Sequence, residues 1–172
     1  MSKTVIFIDI NQWGPSAWSL FHHISLHFNE NIDKTLYYDF YKLFGELLPC
    51  LYCKKHYNDI FDLTIDKIEK EYLIHWTYEM HNRVREELEQ ECSFKRENLY
   101  ETYYNINPDV MFYYMNLIIN LIPKNLSISE LNKYIYFLKL FIILNPNEYS
   151  SQNLENICNV KDLKTFYYQI LK

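Results

Sequence analysis

Glycine occurs only twice in these 172 residues and proline five times. Tight hairpins draw on glycine-containing turns, so a chain this poor in both breakers is not built from repeated hairpins, collagen-like runs or long flexible linkers. Between the few breakers, apolar residues recur at three- and four-residue spacing, the period of an amphipathic helix. The expected fold class is all-α. With 49% hydrophobic residues, the chain is long enough to bury one core, or a core and a modest second subdomain, without a disulfide scaffold.

Proline at a first helical position loses no needed hydrogen bond, which predicts a first helix from Pro15 through Trp18, Phe21, His22 and Ser25 toward Phe28. A second is expected from Lys34, with Leu36, Phe40, Leu43, Phe44 and Leu47 on its apolar face, ending near Pro49. A short third helix carries Cys50 or Tyr52 in its first turn and runs to about Phe61, with Asp59 and Asp62 outward. A fourth spans roughly residues 66–90, burying Leu73, Trp76, Met80, Val84 and Leu88 and leaving Glu86, Glu87 and Glu89 in water.

Beyond Cys92 the composition shifts toward asparagine and tyrosine, with helical patterns near 109–122, 129–144 and 162–171 separated by Pro123 and Pro146. The expected organisation is one unit over residues 1–92 and a helical C-terminal subdomain over 93–172. The pattern assigns that subdomain packing roles for Tyr113, Tyr114, Leu117, Phe137 and Phe141, and no chemistry.

A formal charge of −5 gives no global reason to expect nucleic acid as the main ligand. No run of about eighteen apolar residues suggests a membrane span. The start, MSKTVIFIDINQW, lacks the apolar core and small-residue site of a secretory signal, so residence in the cytoplasm is expected. Four cysteines are too few for a disulfide framework, and two of them form Cys50-Leu51-Tyr52-Cys53, a spacing that points to redox or metal chemistry.

Three constellations carry possible chemistry. At a helix start, unpaired N–H groups and the positive end of the helix dipole lower the pKa of a thiol, and Lys54, Lys55 and His56 add local positive charge near Cys50 and Cys53. Read otherwise, the two are buried apolar thiols, or they bind zinc with His56 and a fourth ligand such as His75 or His81. A thioredoxin reading fails for want of strands. Trp18 and His22, four apart, place two flat rings on one helix face, a surface for a third ring or a stretch of ordinary core. His81 and Arg85 line up in the same way beside Asn82, offering groups suited to a nucleotide or an ordinary polar helix face.

Together the segments Trp-Gly-Pro-x-x-Trp-x-x-x-His, Pro-Cys-x-x-Cys-x-x-His-Tyr and Trp-x-x-x-x-His-Asn-x-Val appear in this order between Trp13 and Val84. The chain resembles the Erv/ALR family of FAD-linked sulfhydryl oxidases over roughly residues 12–88. The resemblance implies a four-helix bundle holding FAD, a Cys50–Cys53 disulfide beside the flavin, and a homodimer. By position it implies that Trp18 and His22 contact the adenine half of FAD. His81, Asn82 and Val84 would line the cofactor, with Trp13, Gly14, Tyr57 and Trp76 shaping the pocket. It also implies that a substrate thiolate attacks Cys50, that Cys53 passes electrons to FAD, and that oxygen is reduced to hydrogen peroxide.

The chain departs from the family pattern in several places. Arg85 replaces the usual asparagine, and its rigid fork of donors suits a pyrophosphate. Gln90 replaces a lysine, and the usual Cys-x16-Cys pair is missing. Cys92 and Cys158 are expected to be free buried thiols or a bridge to the C-terminal half. Without a second Cys-x-x-Cys, substrates reach Cys50 directly or through a thioredoxin-like shuttle, an arrangement found in members from large cytoplasmic DNA viruses. The lysine-, asparagine-, isoleucine- and tyrosine-rich composition is similar to such enzymes, which points to host cytoplasm or the virion. The rival from another class is a zinc-stabilised helical interaction module.

Overall fold

The computed structural model describes residues 9–88, 95–145 and 159–170, whose regular structure is helical, with no strand among them. Eight α-helices follow in order: α1 (Ile10–Leu26), α2 (Lys34–Glu46), α3 (Leu51–Ile60), α4 (Lys70–Glu87), α5 (Leu99–Tyr103), α6 (Pro108–Asn120), α7 (Ile128–Leu144) and α8 (Val160–Ile170). Caps explain most of the boundaries. Asp33 caps α2 by accepting from Thr35 N–H, Asn107 caps α6 ahead of Pro108, and Ser127 with Glu130 forms a capping box on α7.

Two expected starts are corrected. α1 begins five residues before Pro15, because the Asp9 carboxylate caps it through Asn11 N–H at 2.9 Å. Pro15 then lies inside the helix, and the hydroxyl of Ser16 donates to the Trp13 carbonyl at 2.7 Å, giving an acceptor near the proline a partner. α4 begins at Lys70 and not near residue 66: Ile65–Lys67 is a separate 3₁₀ turn, and Ile68 and Glu69 are extended between the two.

α1 is the central helix, packed against α4, α5 and α6, while α2 lies between α3 and α7. One hydrophobic core runs from Trp13, Phe21 and Phe44 through Phe40 and Tyr114 to Phe141 and Tyr167. Phe40 on α2 stacks on Phe137 of α7 with ring centroids 5.4 Å apart. The helices on either side of residue 92 therefore share this core. Tyr114, Phe137 and Phe141 are buried as expected, but Tyr113 faces solvent, half-exposed on the outer side of α6.

The close approach of α3 to α2 depends on Gly45. A Cβ there would come within 2.0 Å of Cδ1 of Tyr57, whose ring fills the space a side chain would take. The Tyr57 hydroxyl donates to the Tyr41 carbonyl at 2.9 Å, which fixes the helix bearing both cysteines against α2. No described helix is long and apolar enough to cross a membrane. Gln90, Cys92 and Cys158 lie outside the described residues, so the alternatives for that cysteine pair stand as the sequence left them.

Candidate active site

Helix α2 gives way after Leu47, and Cys50 enters in extended backbone as the N-cap of α3. Its sulfur accepts the Cys53 N–H at 3.1 Å, and its carbonyl accepts Lys54 N–H at 2.9 Å, closing the first turn. Cys50 and Cys53 form a disulfide, with their Cα atoms 5.2 Å apart. The pair thus stands at the positive end of a helix dipole, and no acidic residue occupies the first turn of α3 to oppose it. Such a setting stabilises a thiolate released when the disulfide opens.

Both cysteines face a cavity of about 660 Å³, within the usual range for ligand clefts. α1 contributes Trp13, Gly14 and Trp18 to its wall; α3 adds Tyr52, His56 and Tyr57; α4 adds His81, Val84, Arg85 and Leu88. Of the residues singled out in the sequence, the cavity gathers Trp13, Gly14, Trp18, Cys50, Cys53, Tyr57, His81, Val84 and Arg85. His22, Trp76 and Asn82 are buried but are not on this wall. Val84 and Leu88, expected in the core, are half-buried and exposed respectively, because their side of α4 lines the cavity.

The ring that lies on Trp18 belongs to His81, stacked at a centroid distance of 3.9 Å and an interplanar angle of 10°. Behind it, His22 Nε2 and His81 Nδ1 share a hydrogen bond of 2.9 Å. Burial holds both imidazoles neutral: His81 is lowered to about 3, helped by the Arg85 charge, and His22 falls well below its ordinary value, helped by His81. Tyr103 stacks on His22 at 4.6 Å, and Ser25 and Thr77 join α1 to α4 through a buried hydroxyl pair at 3.1 Å.

Trp76 packs on Phe21 and Tyr41 and donates its Nε1–H to Asp62 at 2.8 Å; Asp62 also receives Arg83. Asp62 therefore ties α4 to the end of α3 and is no mere solvent-facing charge. The buried Trp13 Nε1–H has no hydrogen-bond partner among the described residues, although its ring is on the cavity wall. A buried donor without an acceptor is costly in the protein alone and suits a site whose ligand brings an acceptor.

The zinc arrangement is not formed. The two sulfurs are bonded to each other, and His56 Nε2 pairs with Glu87 of α4. Among the described residues no group of three or more histidine, cysteine, aspartate or glutamate side chains is placed to hold a metal. Sequence reasoning did not find Phe44, Leu48 or Tyr103 as wall residues. Phe44 reads as an ordinary core position of the second helix, Leu48 falls between that helix and Pro49, and Tyr103 belongs to a five-residue helix too short to show a period.

A family model described as the Erv1 / Alr family matches residues 15–104, just over half of the chain. The match continues past the cavity-lining segment of α4 to include α5 and Tyr103. A protein of Acanthamoeba polyphaga mimivirus, probable FAD-linked sulfhydryl oxidase R368, is 34% identical over 80 residues, covering 42% of this chain and 56% of that protein. The chain thus spans little more than half the length of this relative. No solved structure matches it.

Proposed function

The chain belongs to the Erv1/Alr family, and from that membership we propose that it is a FAD-dependent thiol oxidase that forms disulfides in protein substrates through Cys50 and Cys53. One observation carries the proposal: the Cys50–Cys53 disulfide, at the N-terminus of α3, opens on a cavity also walled by the Trp18–His81 stack and Arg85. The donor set suits the cofactor. Trp18 and His81 offer flat rings, Trp13 an N–H in need of an acceptor, and Arg85 a cation for phosphate oxygens. Gly14, Tyr57 and Val84 would complete the wall, with His22, Asn82 and Trp76 supporting it from behind. The chemistry FAD supplies when bound is two-electron acceptance from a dithiol and delivery to molecular oxygen, giving hydrogen peroxide.

The chain's own part is thiol–disulfide exchange. A substrate thiolate attacks the sulfur of Cys50, the Cys50–Cys53 bond breaks, and Cys53 leaves as a thiolate in the first turn of α3, near the positive end of its dipole. A second substrate thiol then displaces Cys50 from the mixed disulfide. The substrate has lost two electrons, the cysteine pair has gained them, and the protons of the substrate thiols pass to solvent or to the reduced pair. The uncharged His22–His81 pair keeps that side of the cavity neutral, so Arg85 is the positive group next to it.

Homodimerisation, a source in a large DNA virus, residence in host cytoplasm or virion, and delivery of electrons by a protein dithiol or a thioredoxin-like shuttle complete the proposal. The mimivirus relative supports the viral source, and its name supports thiol substrates. The test is oxygen uptake with dithiothreitol by the purified yellow protein. Cys50→Ala and Cys53→Ala are expected to lose uptake while retaining flavin; a colourless protein, or uptake that survives both substitutions, rejects the proposal.

A further inference from the structure

The two residues between the cysteines are unusually apolar for their position. Leu51 is 80% exposed and Tyr52 68% exposed. Neither is needed to dock α3, which buries Tyr57 for that purpose. The first turn of a helix favours polar and acidic side chains, so leucine and tyrosine here gain nothing from local propensity. Tyr52 shares the cavity mouth with Leu88, the partly exposed C-cap of α4. Lys55 pairs with Asp59, and His56 contacts Glu87 of α4. The rim beside the disulfide thus presents exposed apolar side chains.

We propose that Leu51 and Tyr52 are specificity-determining residues that receive apolar side chains flanking a substrate cysteine. The inference rests on the thiol–disulfide exchange step of the thiol-oxidase reading. A substrate sulfur must reach bonding distance of the Cys50 sulfur, and Leu51 and Tyr52 follow Cys50 directly in the chain. An extended peptide advances about 3.3 Å per residue, so the neighbours of its cysteine come alongside these two side chains during the attack. As Cys50 bonds to the substrate sulfur and Cys53 departs as a thiolate, burial of the flanking residues against Leu51 and Tyr52 stabilises the mixed disulfide. Cysteines with apolar neighbours are exposed mainly before a protein has folded. The fitting substrate is therefore an unfolded or partly folded chain.

The test uses the full-length oxidised protein in a single anaerobic turnover with two reduced dithiol peptides of equal charge. One has leucine and phenylalanine beside its cysteines; the other has serine and glycine there. Formation of peptide disulfide is followed by mass spectrometry after acid quenching. The apolar peptide is expected to react about tenfold faster. In Leu51→Ser combined with Tyr52→Ser, the advantage falls to about twofold or less. Equal rates with the unsubstituted protein, or an advantage that survives in the double variant, overturns the inference. Since this exchange needs no oxygen, absence of oxygen uptake alongside an intact peptide preference rejects the oxidase reading without touching this one.

Discussion

On its α4 side, α1 buries His22 and Ser25 against His81 and Thr77, linked by hydrogen bonds across the helix pair. On its α6 side it packs against a helix whose buried side chains are Met111, Tyr114, Met115, Ile118 and Ile119, with the Tyr114 hydroxyl the one nitrogen or oxygen group among those side chains. The contrast extends along the chain: among the described residues, every buried polar side chain outside the tyrosines and tryptophans belongs to α1 or α4, apart from Asn145 after α7. Burying polar groups costs free energy unless each finds a partner, and apolar burial is the ordinary source of stability. The α4 side therefore buries polar groups that rely on their pairing, and the α6 side is stabilised by apolar burial.

The largest expected effect comes from removing the α6 side altogether. A chain ending after Tyr104 loses the partners of Trp13, Phe40 and Phe44, and it is expected to show no cooperative thermal unfolding. A cooperative melt from that fragment would break the comparison. Next, Met115→Ala, at a fully buried position on α6, is expected to cost about 2–5 kcal/mol in urea unfolding. Turnover per folded molecule should stay unchanged, since no atom of Met115 reaches the cavity.

Gly45→Ala is expected to cost about 1–3 kcal/mol through overpacking against Tyr57, and it should also lower turnover, because Tyr57 lies on the helix of the cysteines. Unaltered stability would mean that α3 has room to retreat from α2. The pH dependence should carry a further signature, that of the buried histidines. Unfolded, a histidine titrates near 6.5. Folded, burial reinforced by His27 lowers His23 to about 4, carbonyls of Tyr103 and Tyr104 opposing, and His81 falls to about 3. Below pH 6.5 the unfolded chain binds the extra protons, so stability falls toward pH 4 by up to about 1.4 kcal/mol per unit for each histidine. Above pH 6.5 these groups add nothing further. Urea midpoints at pH 7 and pH 5 would show the loss, and His23→Gln should reduce it; a flat profile contradicts the burial argument.

Much of the α6 side was legible in the sequence, because apolar periodicity near 109–122 and 129–144 marks its helices directly, while the Asn107 cap ahead of Pro108 and the Ser127–Glu130 box that set their starts emerge from the structure. The α4 side was legible mainly through its motifs. Spacing put Trp18 and His22 on one face, but it could not tell that His81 would take the face of Trp18 and bond His22. Those contacts depend on how α1 and α4 cross, which no local pattern encodes. Val84 and Leu88 show the same limit, since an apolar stripe reads alike whether it meets a core or a cavity. Pro15 misled for a local reason: the Asp9 cap starts the helix early enough to place proline within it.

The central claim is that electrons travel from thiols through Cys50 and Cys53 to a flavin held in the adjoining cavity. Anaerobic addition of dithiothreitol to the purified protein, followed by visible absorption, tests it most directly. The account predicts a flavin band that bleaches rapidly in the unsubstituted protein and stays coloured in Cys53→Ser. A protein without flavin absorption, or bleaching at the same rate in both, would contradict it.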